Sequence, residues 1–326
     1  MAVTIKDVAA LAGVNPSTVS RVIKDNPSIS EKTKIKVKEA MKTLGYTQNA
    51  AAKTLASGKS GAIGVIFPPV ENKQSQPFFM KILTSINEEA RRQEITVAIA
   101  TGHSTEDLEK QVRLMYSQSR VDGFIMLYAG PGDSIRKYLM DENIPFVLVG
   151  TPIDYQKQLT YVDNDNHLLG YEACRYLLEH NHRRLAFVTD TETGEVYKQR
   201  WLGFNKKISE ENLQADLIFF DENKLELSAF SDLDGLVVMD DILALKTIQF
   251  LLSMGYKVPE DISILSFNNS VYAELVHPYL SSFDINISLL GQEAMIQLAN
   301  LLEKTPQSSG EKVIVPFTLQ ERESVK

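Results

Sequence analysis

The chain has 326 residues, more than the ~250–300 at which a single hydrophobic core usually stops growing, so two or three domains are expected. Its one cysteine, Cys174, excludes an internal disulfide framework, and the sequence contains neither a long apolar run nor a signal-peptide pattern, which predicts a cytoplasmic protein without membrane contact. Residues 1–60 hold ten Lys or Arg and four Asp or Glu, a formal charge of +6, which leaves −14 for the remainder. A small basic head on an acidic body favours DNA as a partner, although a solvated basic helix face would carry the same charges.

Two short helices are predicted at the start of the chain. Thr4 to Asp7 form a capping-box pattern that begins the first helix, and Gly13 ends it because glycine adopts the left-handed conformation of a tight turn. Asn15 and Pro16 then provide an N-cap and a first-turn proline for the second helix. This spacing is typical of a helix-turn-helix, whose second helix enters the DNA major groove.

A third helix is predicted from Ser30 to Gly45, and the segment 49–58 follows it. The apolar residues that are expected to face the core of the three helices are Val8, Leu11, Ala12, Val19, Val22, Ile23, Ile35, Ala40, Met41 and Leu44. The segment 49–58 is rich in helix formers but shorter than the ~12–15 residues that an isolated helix needs in water. It is therefore predicted to be a linker that folds only on contact.

From residue 62 onward, short apolar runs alternate with longer amphipathic stretches. The apolar runs, predicted as strands, are 63–67, 96–100, 123–127, 146–149, 185–188, 236–239 and 262–265. The amphipathic stretches, predicted as helices, include 78–92, 104–118, 166–180, 195–210 and 241–255. Continuous apolar strands between helices indicate parallel sheets covered on both faces. The pattern therefore predicts an all-α headpiece followed by an α/β body.

Two long blocks, Val3–Ala9 and Gly13–Val22, closely resemble the headpiece of the lactose/galactose repressor family of transcription regulators. Shorter matches extend along the whole chain and are Leu44–Tyr46, Asn49, Leu55, Val162–Asn164, Arg200–Phe204, Asp240–Asp241, Ser266–Asn269 and Glu321–Ser324. The resemblance implies a sequence-specific DNA-binding regulator. It also implies a body like a periplasmic binding protein, in which two parallel-sheet subdomains are joined by three chain crossings and an effector binds between them.

The resemblance also implies domain boundaries and partners. The expected domains are a helix-turn-helix headpiece at 1–48, a hinge helix and linker at 49–60, and a ligand-binding and dimerisation domain at 61–326, in which subdomain one is 62–162 plus 286–315 and subdomain two is 163–285 plus 316–326. No apolar heptads follow Ser324, so a homodimer is expected rather than a tetramer. Such a dimer binds a pseudo-palindromic operator in double-stranded DNA.

Residues of the headpiece and the linker are expected to contact DNA. Arg21 is expected to read guanine, since its planar fork matches O6 and N7. By resemblance, Ser17 matches a base-contacting position, and Pro16 beside it offers apolar contact only. The residues that match phosphate-holding positions are Thr4, Asn15, Thr18, Ser20 and Tyr46. Leu55 resembles a minor-groove wedge, and Asn49 and Lys53 complete the predicted set; helix capping, or a core contact of Leu55, is the alternative.

The expected effector contacts are spread along the body. Arg200 lies in the family's Arg-x-x-Gly-Phe pattern and offers five donors, while Asp163, Asp240 and Asn268 match cleft positions at strand ends. Phe78 and Phe79 are candidates to stack on a sugar ring, and one of the two is expected to belong to the core. The residues that look most like the maltose-operon repressors of Gram-positive bacteria are Gln76–Phe79, Ala129 and Val162–Asn166.

The resemblance therefore implies a repressor of maltose or maltodextrin utilisation genes. A family member that uses a corepressor, or that responds to another sugar or a purine, remains the alternative. An enzyme such as a sugar kinase or dehydrogenase is disfavoured, because no phosphate-binding glycine loop, nucleophile elbow or dinucleotide fingerprint is present, and no cofactor is expected. A transporter's secreted sugar-binding protein would share the body but would carry a secretion signal and no headpiece.

Three further residue types have ordinary explanations. His180 and His182 lie two residues apart near a helix end, a spacing that does not place two ring nitrogens on one helical face, so no metal site is expected and both are predicted at the surface. Cys174 is predicted as a small core residue. Asp241 is expected either to cap the following helix or to contact the effector.

Overall fold

The structure is a computed structural model that describes residues 3–23, 25–46, 58–69, 76–130, 132–152, 158–192, 194–221, 227–303 and 310–326. The chain divides into two compact units, Met1–Ser60 and Gly61–Lys326. Each unit has its own hydrophobic core among these residues. None of the helices that the structure describes combines the length and the apolar content needed to span a bilayer.

The first unit contains the helices α1 (Ile5–Ala12), α2 (Pro16–Ile23) and α3 (Glu31–Leu44). The Asp7 carboxylate accepts hydrogen bonds from the backbone N–H and the hydroxyl of Thr4, at 2.8 and 2.7 Å. Gly13 ends α1 with φ 63°, as the turn pattern predicts. The three helices enclose a small core, and the helix-turn-helix that the sequence predicts is confirmed.

Two apolar residues of this unit do not lie where the sequence pattern placed them. Leu11 and Ile35 were expected in the core but are 51% and 57% exposed. On α3 the buried positions are Lys34, Val37 and Ala40, which follow one stripe at every third residue. Ile35 is one position off this stripe and therefore faces solvent, while the Lys34 ammonium pairs at the rim with Asp25 and Glu31 at 2.7 and 3.0 Å.

The second unit is built from strands and helices that alternate along the chain. Its strands are β1 (Ala62–Ile66), β2 (Thr96–Ala100), β3 (Phe124–Met126), β4 (Phe146–Val149), β5 (Tyr161–Asp163), β6 (Leu185–Thr189), β7 (Ala215–Phe219), β8 (Gly235–Val238), β9 (Ser263–Phe267), β10 (Ser281–Asp284), β11 (Lys312–Ile314) and β12 (Thr318–Gln320). Its helices are α4 (Gln76–Arg92), α5 (Thr105–Ser117), α6 (Ser134–Asp141), α7 (Asn166–Glu179), α8 (Glu195–Glu210), α9 (Asp241–Ser253) and α10 (Ile287–Glu303), with 3-10 turns at Leu227–Phe230 and Val271–Glu274.

These strands form two six-stranded sheets, in the orders β11-β5-β4-β3-β1-β2 and β12-β10-β9-β8-β6-β7. All neighbouring strands are parallel except β12, which runs antiparallel to β10. Helices α4, α5, α6 and α10 pack with the first sheet as subdomain one, and α7, α8 and α9 pack with the second sheet as subdomain two. The two-sheet α/β body that the sequence predicts is therefore confirmed.

The chain passes between the two subdomains three times. The crossings lie between β5 and α7, between β10 and α10, and between β11 and β12. In parallel sheets, the connections after the carboxyl ends of the strands form a common edge where ligands bind. The crossings lie at that edge, so the residues beside them are placed in the cleft between the subdomains.

Candidate functional site

The headpiece presents the side chains of α2 to solvent. Asn15, Pro16, Ser17 and Arg21 are exposed, as is Thr4, whereas Thr18, Ser20 and Tyr46 are half-buried. Among the described residues, none accepts or donates a hydrogen bond to the side chains of Asn15, Ser17, Thr18, Ser20 or Arg21. This surface therefore has donors and a cation available for an external partner. The other predicted DNA contacts, Asn49, Lys53 and Leu55, lie outside the described residues.

A cavity of about 320 Å³ lies between the two subdomains of the body, at the carboxyl ends of their strands. The residues that line it are Phe78, Leu127, Tyr128, Ala129, Val149, Gly150, Thr151, Asp163, Asn164, Asn166, Thr191, Gly194, Glu195, Val196, Tyr197, Arg200, Met239, Asp240, Asn268, Ile285 and Leu290. Five of the six predicted effector contacts are among them. Phe79 is not, because its ring packs against Phe67 and Phe78, with centroids 5.6 and 5.2 Å apart.

The two walls of the cavity differ in chemistry. The wall from subdomain one is mainly apolar, with Phe78, Leu127, Val149 and Leu290. The wall from subdomain two carries most of the charged and polar groups, which include Thr191, Glu195, Tyr197, Arg200, Asp240 and Asn268. Subdomain one adds the polar side chains of Tyr128, Thr151 and Asp163. The cavity therefore suits a ligand that combines an apolar face with several hydrogen-bonding groups.

Arg200 is the central cation of the cavity and is only 3% exposed. Its Nε donates to Asn166 Oδ1 and its Nη1 to the carbonyl of Met239, both at 3.0 Å, and its guanidinium lies 4.3 Å from the centroid of the Phe267 ring. Burial lowers the pKa of Arg200 to about 10, so the side chain stays charged at neutral pH. No carboxylate of the described residues lies within 4.0 Å of it, and Nη2 keeps its donors for a ligand.

Two glycines explain how α8 brings Arg200 to this place. A Cβ atom on Gly203 would lie 1.8 Å from the carbonyl oxygen of His167 on α7, and one on Gly170 would lie 1.8 Å from the carbonyl oxygen of Arg200. The backbones of α7 and α8 can touch only because both residues lack a side chain. Arg200 and Gly203 lie one turn apart on α8, so the helix contact at Gly203 places Arg200 in the cleft. This contact is a physical cause for the Arg-x-x-Gly pattern.

Asp163 lines the cavity, but its acceptor positions are used within the protein. Oδ1 accepts from the backbone N–H of Asn164 at 2.8 Å, and Oδ2 accepts from the backbone and hydroxyl of Thr151 at 2.8 and 2.9 Å. Asn166 Nδ2 donates to both oxygens, at 3.0 and 3.1 Å. Burial raises the pKa of Asp163, and the bonds from Thr151 and Asn164 oppose this rise. Asp163 therefore holds Asn166, which in turn holds Arg200.

The adjacent carboxylates Asp240 and Asp241 have different roles. Asp240 is the N-cap of α9 and accepts from the backbone N–H of Leu243 through Oδ1 at 2.9 Å. Asp241 is only 1% exposed and accepts from the hydroxyls of Ser266 and Ser282 at 2.6 and 2.7 Å. Burial raises the pKa of both carboxyl groups. Asp241 thus ties α9 to the neighbouring strands, a role that neither sequence interpretation of this residue foresaw.

Asn268 follows β9 in a strained conformation with φ 99°. Its backbone N–H donates to the carbonyl of Phe283 at 2.8 Å, and no described residue bonds its side-chain amide. The side chain of the next residue, Asn269, accepts from Arg322 Nη2 at 2.7 Å and donates to Asp284 Oδ2 at 3.1 Å. The Asn268 amide is therefore held at the cavity by its backbone and stays available to a ligand.

Tyr128 is a cavity residue that the sequence interpretation missed. Its hydroxyl is buried and lies near the Asp133 carboxylate. Burial raises the pKa of Tyr128, and the negative charge of nearby Asp133 adds to the rise. The place of Tyr128 two residues after the buried strand β3 was the signal that could have identified it, since parallel strands end at the cleft.

The histidine prediction was half wrong. His182 is only 3% exposed, with Nε2 unpartnered and Nδ1 3.8 Å from Asp234 Oδ1, whereas His180 is half-buried. The turn after α7 directs His182 back toward the helix, where its backbone N–H donates to the carbonyl of Leu177 at 3.1 Å, which the sequence spacing did not indicate. Among the described residues no cluster of three potential metal ligands occurs, and Cys174 is buried in the core as predicted.

Comparisons with known proteins cover both units. Residues 4–49 match the family described as "Bacterial regulatory proteins, lacI family", and residues 174–325 match a "Periplasmic binding protein-like domain". The transcriptional regulator MalR of Staphylococcus xylosus is 33% identical over 99% of this chain and 98% of its own length.

Solved structures of regulators are similar as well. A probable maltose operon transcriptional repressor from Staphylococcus aureus is 27% identical, with a TM-score of 0.75 over 83% of this chain and 99% of its own. The regulator CelR in complex with cellobiose is 25% identical, with a TM-score of 0.74 over 99% of both chains. These relatives are named as transcription regulators, not enzymes.

Proposed function

This chain belongs to the LacI family of bacterial regulatory proteins, and we propose that it represses carbohydrate-utilisation genes as a homodimer whose operator affinity is set by a sugar of the maltose or maltodextrin type. It is a DNA-binding transcription regulator. The proposal concerns its effector, the direction of control and the residues that carry out both tasks.

The observation that carries the effector proposal is that one cavity combines a mainly apolar wall with a concentration of hydrogen-bonding groups on the opposite side. A pyranose ring has one apolar C–H face and a rim of hydroxyl groups, so it matches both walls at once. Arg200 Nη2 and the Asp240 carboxylate supply a donor and an acceptor, as neighbouring sugar hydroxyls require. Phe78 supplies the apolar face, and the cavity volume of about 320 Å³ lies within the usual range for small-molecule sites.

Two structural relatives whose names include a disaccharide support an effector of this class. The relative in Staphylococcus aureus is described as a maltose operon repressor, and CelR was solved with cellobiose. Maltose and cellobiose differ in the stereochemistry of one glycosidic bond, which changes the angle between their two rings. The same cavity chemistry fits either sugar in principle, so the choice of maltose rests on the full-length similarity to MalR.

The DNA proposal rests on the free side chains of α2. Arg21 reads a guanine, Ser17 and Pro16 contact base edges, and the predicted phosphate contacts Thr4, Asn15, Thr18, Ser20 and Tyr46 fix the register. The hydroxyl and the backbone N–H of Thr4 both donate to Asp7, so Thr4 can donate to a phosphate only if DNA replaces one of these bonds.

The linker residue Leu55 is proposed to act as a wedge in the minor groove, with Asn49 and Lys53 beside the DNA backbone. This part of the proposal rests on the resemblance to the family. Leu55→Ala should reduce DNA bending in a gel-phasing assay and weaken specific binding, while the affinity for sugar stays unchanged. Full bending by the variant would remove Leu55 from this role.

A second copy of the chain is proposed to complete the regulator. The loop at Val271–Glu274 and the residues after it expose large apolar side chains, with Val271 60%, Leu275 66% and Val276 37% exposed. Apolar surface of this kind marks a protein contact, and a symmetric dimer presents two headpieces to a pseudo-palindrome. Leu275→Glu should shift the protein to monomers in analytical ultracentrifugation, whereas an unchanged sedimentation coefficient would exclude this surface.

The function is tested by selecting DNA from a random pool with the full chain, followed by footprinting and titration at several salt concentrations. The proposal expects a pseudo-palindromic site and an affinity that falls steeply with salt. A thermal-shift screen with maltose, maltotriose, cellobiose and guanine then identifies the effector class, because a ligand that binds only the native state raises its stability. Maltose should release the DNA; tighter DNA binding with maltose would make it a corepressor, and a response to guanine alone would contradict the sugar proposal.

A further inference from the structure

The three chain crossings of the body meet at one side chain. Asn164 lies in the first crossing, and its Nδ2 donates to the carbonyl of Ile285 in the second crossing and to the carbonyl of Val315 in the third, each at 2.9 Å. Asn164 is 3% exposed, and Ile285 and Val315 are 4% and 1% exposed. One buried amide therefore bridges all three segments that connect the two subdomains.

The orientation of this amide follows from its partners. Both neighbours are carbonyl oxygens, so the nitrogen of the Asn164 side chain must face them, and both of its N–H groups are used. The Oδ1 atom has no partner among the described residues, and Asn164 lines the cavity. No other residue type of this size supplies two adjacent donors without a charge.

Asn164 is also connected to the proposed effector contact. Arg200 donates to Asn166, Asn166 donates to Asp163, and Asp163 accepts from the backbone N–H of Asn164. The backbone N–H of Val315 donates to the carbonyl of Asp163 at 2.8 Å, which closes the connection to the third crossing. A ligand that pulls on Arg200 therefore acts on the crossings through bonded groups at every step.

We propose that Asn164 is a positioning residue that holds the three crossings in register and links occupancy of the cavity to the arrangement of the two subdomains. The inference deepens the proposed function and rests on it for the identity of the effector. The physical reason is that two buried carbonyls lose their donors when the amide is removed, so the crossings separate more easily. Bound ligand then no longer selects one subdomain arrangement over the other.

The test compares Asn164→Asp with the matched control Asn286→Asp. An aspartate at 164 directs an oxygen, instead of a donor, at two carbonyls. Asn286 lies in the second crossing and is exposed. Among the described residues its side chain accepts only from the backbone N–H of Leu289 at 3.3 Å, a cap that aspartate retains. Asn164→Ala, which adds no charge, is the second variant in case Asn164→Asp does not fold.

Hydrogen exchange by mass spectrometry is measured on the full-length proteins without sugar. The peptides that cover the second and third crossings should exchange at least about tenfold faster in Asn164→Asp and in Asn164→Ala than in the parent, while peptides of β6 and β8 keep their protection. Asn286→Asp should match the parent. Equal exchange at the crossings in the parent and in both Asn164 variants would overturn the inference.

The same proteins are then titrated with the selected operator, with and without maltose. The change in operator affinity that maltose causes should shrink to less than about twofold in the Asn164 variants and stay at the parental value in Asn286→Asp. Faster exchange with a full maltose response would contradict the link to the cavity. A parent that ignores maltose would contradict the proposed effector, and the exchange comparison alone would then decide the role of Asn164.

Discussion

The headpiece and the cleft of the body present their functional groups in opposite ways. On α2 and at its start, the proposed DNA contacts are exposed or half-buried, lie within seven residues of one another, and have side chains free of bonds to other described residues. In the cleft, Arg200 and Asp163 are buried, come from distant parts of the chain and are bonded to each other through Asn166. A surface that meets a polyanion can be changed without loss of the fold, whereas a buried cleft binds its ligand with groups that also hold the protein together.

This comparison predicts that substitutions in the cleft alter both stability and binding, while substitutions on α2 alter binding alone. The largest effect is expected where the cleft depends on backbone contact. In Gly203→Ala the new methyl group would lie 1.8 Å from the His167 carbonyl oxygen, so α7 and α8 must separate. We expect the free energy of unfolding of the body to fall by about 3 kcal/mol or more.

Urea unfolding monitored by Trp201, the single tryptophan, reports this change because Trp201 lies on α8 itself. Gly130→Ala is the matched control, since no atom lies within 4 Å of a Cβ at Gly130. Equal urea midpoints for the two variants would show that the helices separate at no cost, and the explanation of the Arg-x-x-Gly pattern would fail.

The second-largest expected effect is a loss of maltose affinity when Arg200 is replaced. Arg200→Ala should weaken maltose binding by about 2–5 kcal/mol, roughly 30-fold or more, because a charged donor is lost from a closed cleft. Arg200→Lys should rescue poorly, since an ammonium cannot replace the two bonds to Asn166 and Met239 and still reach the ligand. Both variants should retain operator binding.

Isothermal calorimetry of Arg200→Ala measures this loss, with the surface variant Arg175→Ala as control. Arg175 pairs only with Glu172 and Glu179 on its own helix and is expected to leave the maltose affinity unchanged. Should Arg200→Ala bind maltose within about twofold of the parent, less than ~0.5 kcal/mol would remain for the contact, and the effector would have to be held by Asp240 and Asn268.

On the headpiece, Arg21→Ala should cost about 1–3 kcal/mol of operator affinity and relax the preference at one base position, because a bidentate contact to guanine is removed. The melting temperature should not change, since the Arg21 side chain has no partner within the described residues. Lys32→Ala removes the same charge from the exposed start of α3 and should leave the base preference intact. Lower thermal stability of Arg21→Ala would contradict the contrast between the two regions.

The smallest expected effect is a pH dependence of body stability. Burial lowers the pKa of His182. The charge of Asp234 raises this pKa, and the charges of Lys326 and His180 lower it further. The unfolded histidine therefore takes up its proton first, and stability is lost as pH falls below about 6.5. Between pH 7.5 and 5.5, the loss of unfolding free energy should be smaller in His182→Gln than in the parent, by up to about 1 kcal/mol. His180→Gln should lose as much as the parent. If the unfolding free energy of His182→Gln depends on pH as strongly as that of the parent, other groups cause the pH dependence.

The sequence predicts the headpiece almost completely, because its signals are local. Thr4, Gly13 and Pro16 fix the ends of two helices through contacts within a few residues. In the body, the long apolar strands β1, β2, β3, β4, β6, β8 and β9 are predicted as well. The strands that the sequence pattern does not predict are short, lie at sheet edges or carry polar residues. An example is Ser281–Asp284, where two serines bond to groups on other elements.

The cleft is predicted only in part for a related reason. Family motifs point to Arg200, Asp240 and Asn268, which the structure places around one cavity. They do not reveal that Asp163 is saturated by internal donors or that Asn164 bridges the crossings, since these bonds join residues up to 151 positions apart. Such partnerships depend on how two sheets are connected, which no local pattern in the sequence encodes.

The most direct test of the central claim is the operator affinity of the full chain, measured with and without maltose on the DNA that the protein itself selects. We expect maltose to weaken binding to a pseudo-palindromic site by at least about tenfold in the parent, and Arg200→Ala to bind the same site with parental affinity but without a response to maltose. An operator affinity that no tested saccharide changes, or a maltose response that survives in Arg200→Ala, would contradict control of the headpiece by a sugar in this cleft.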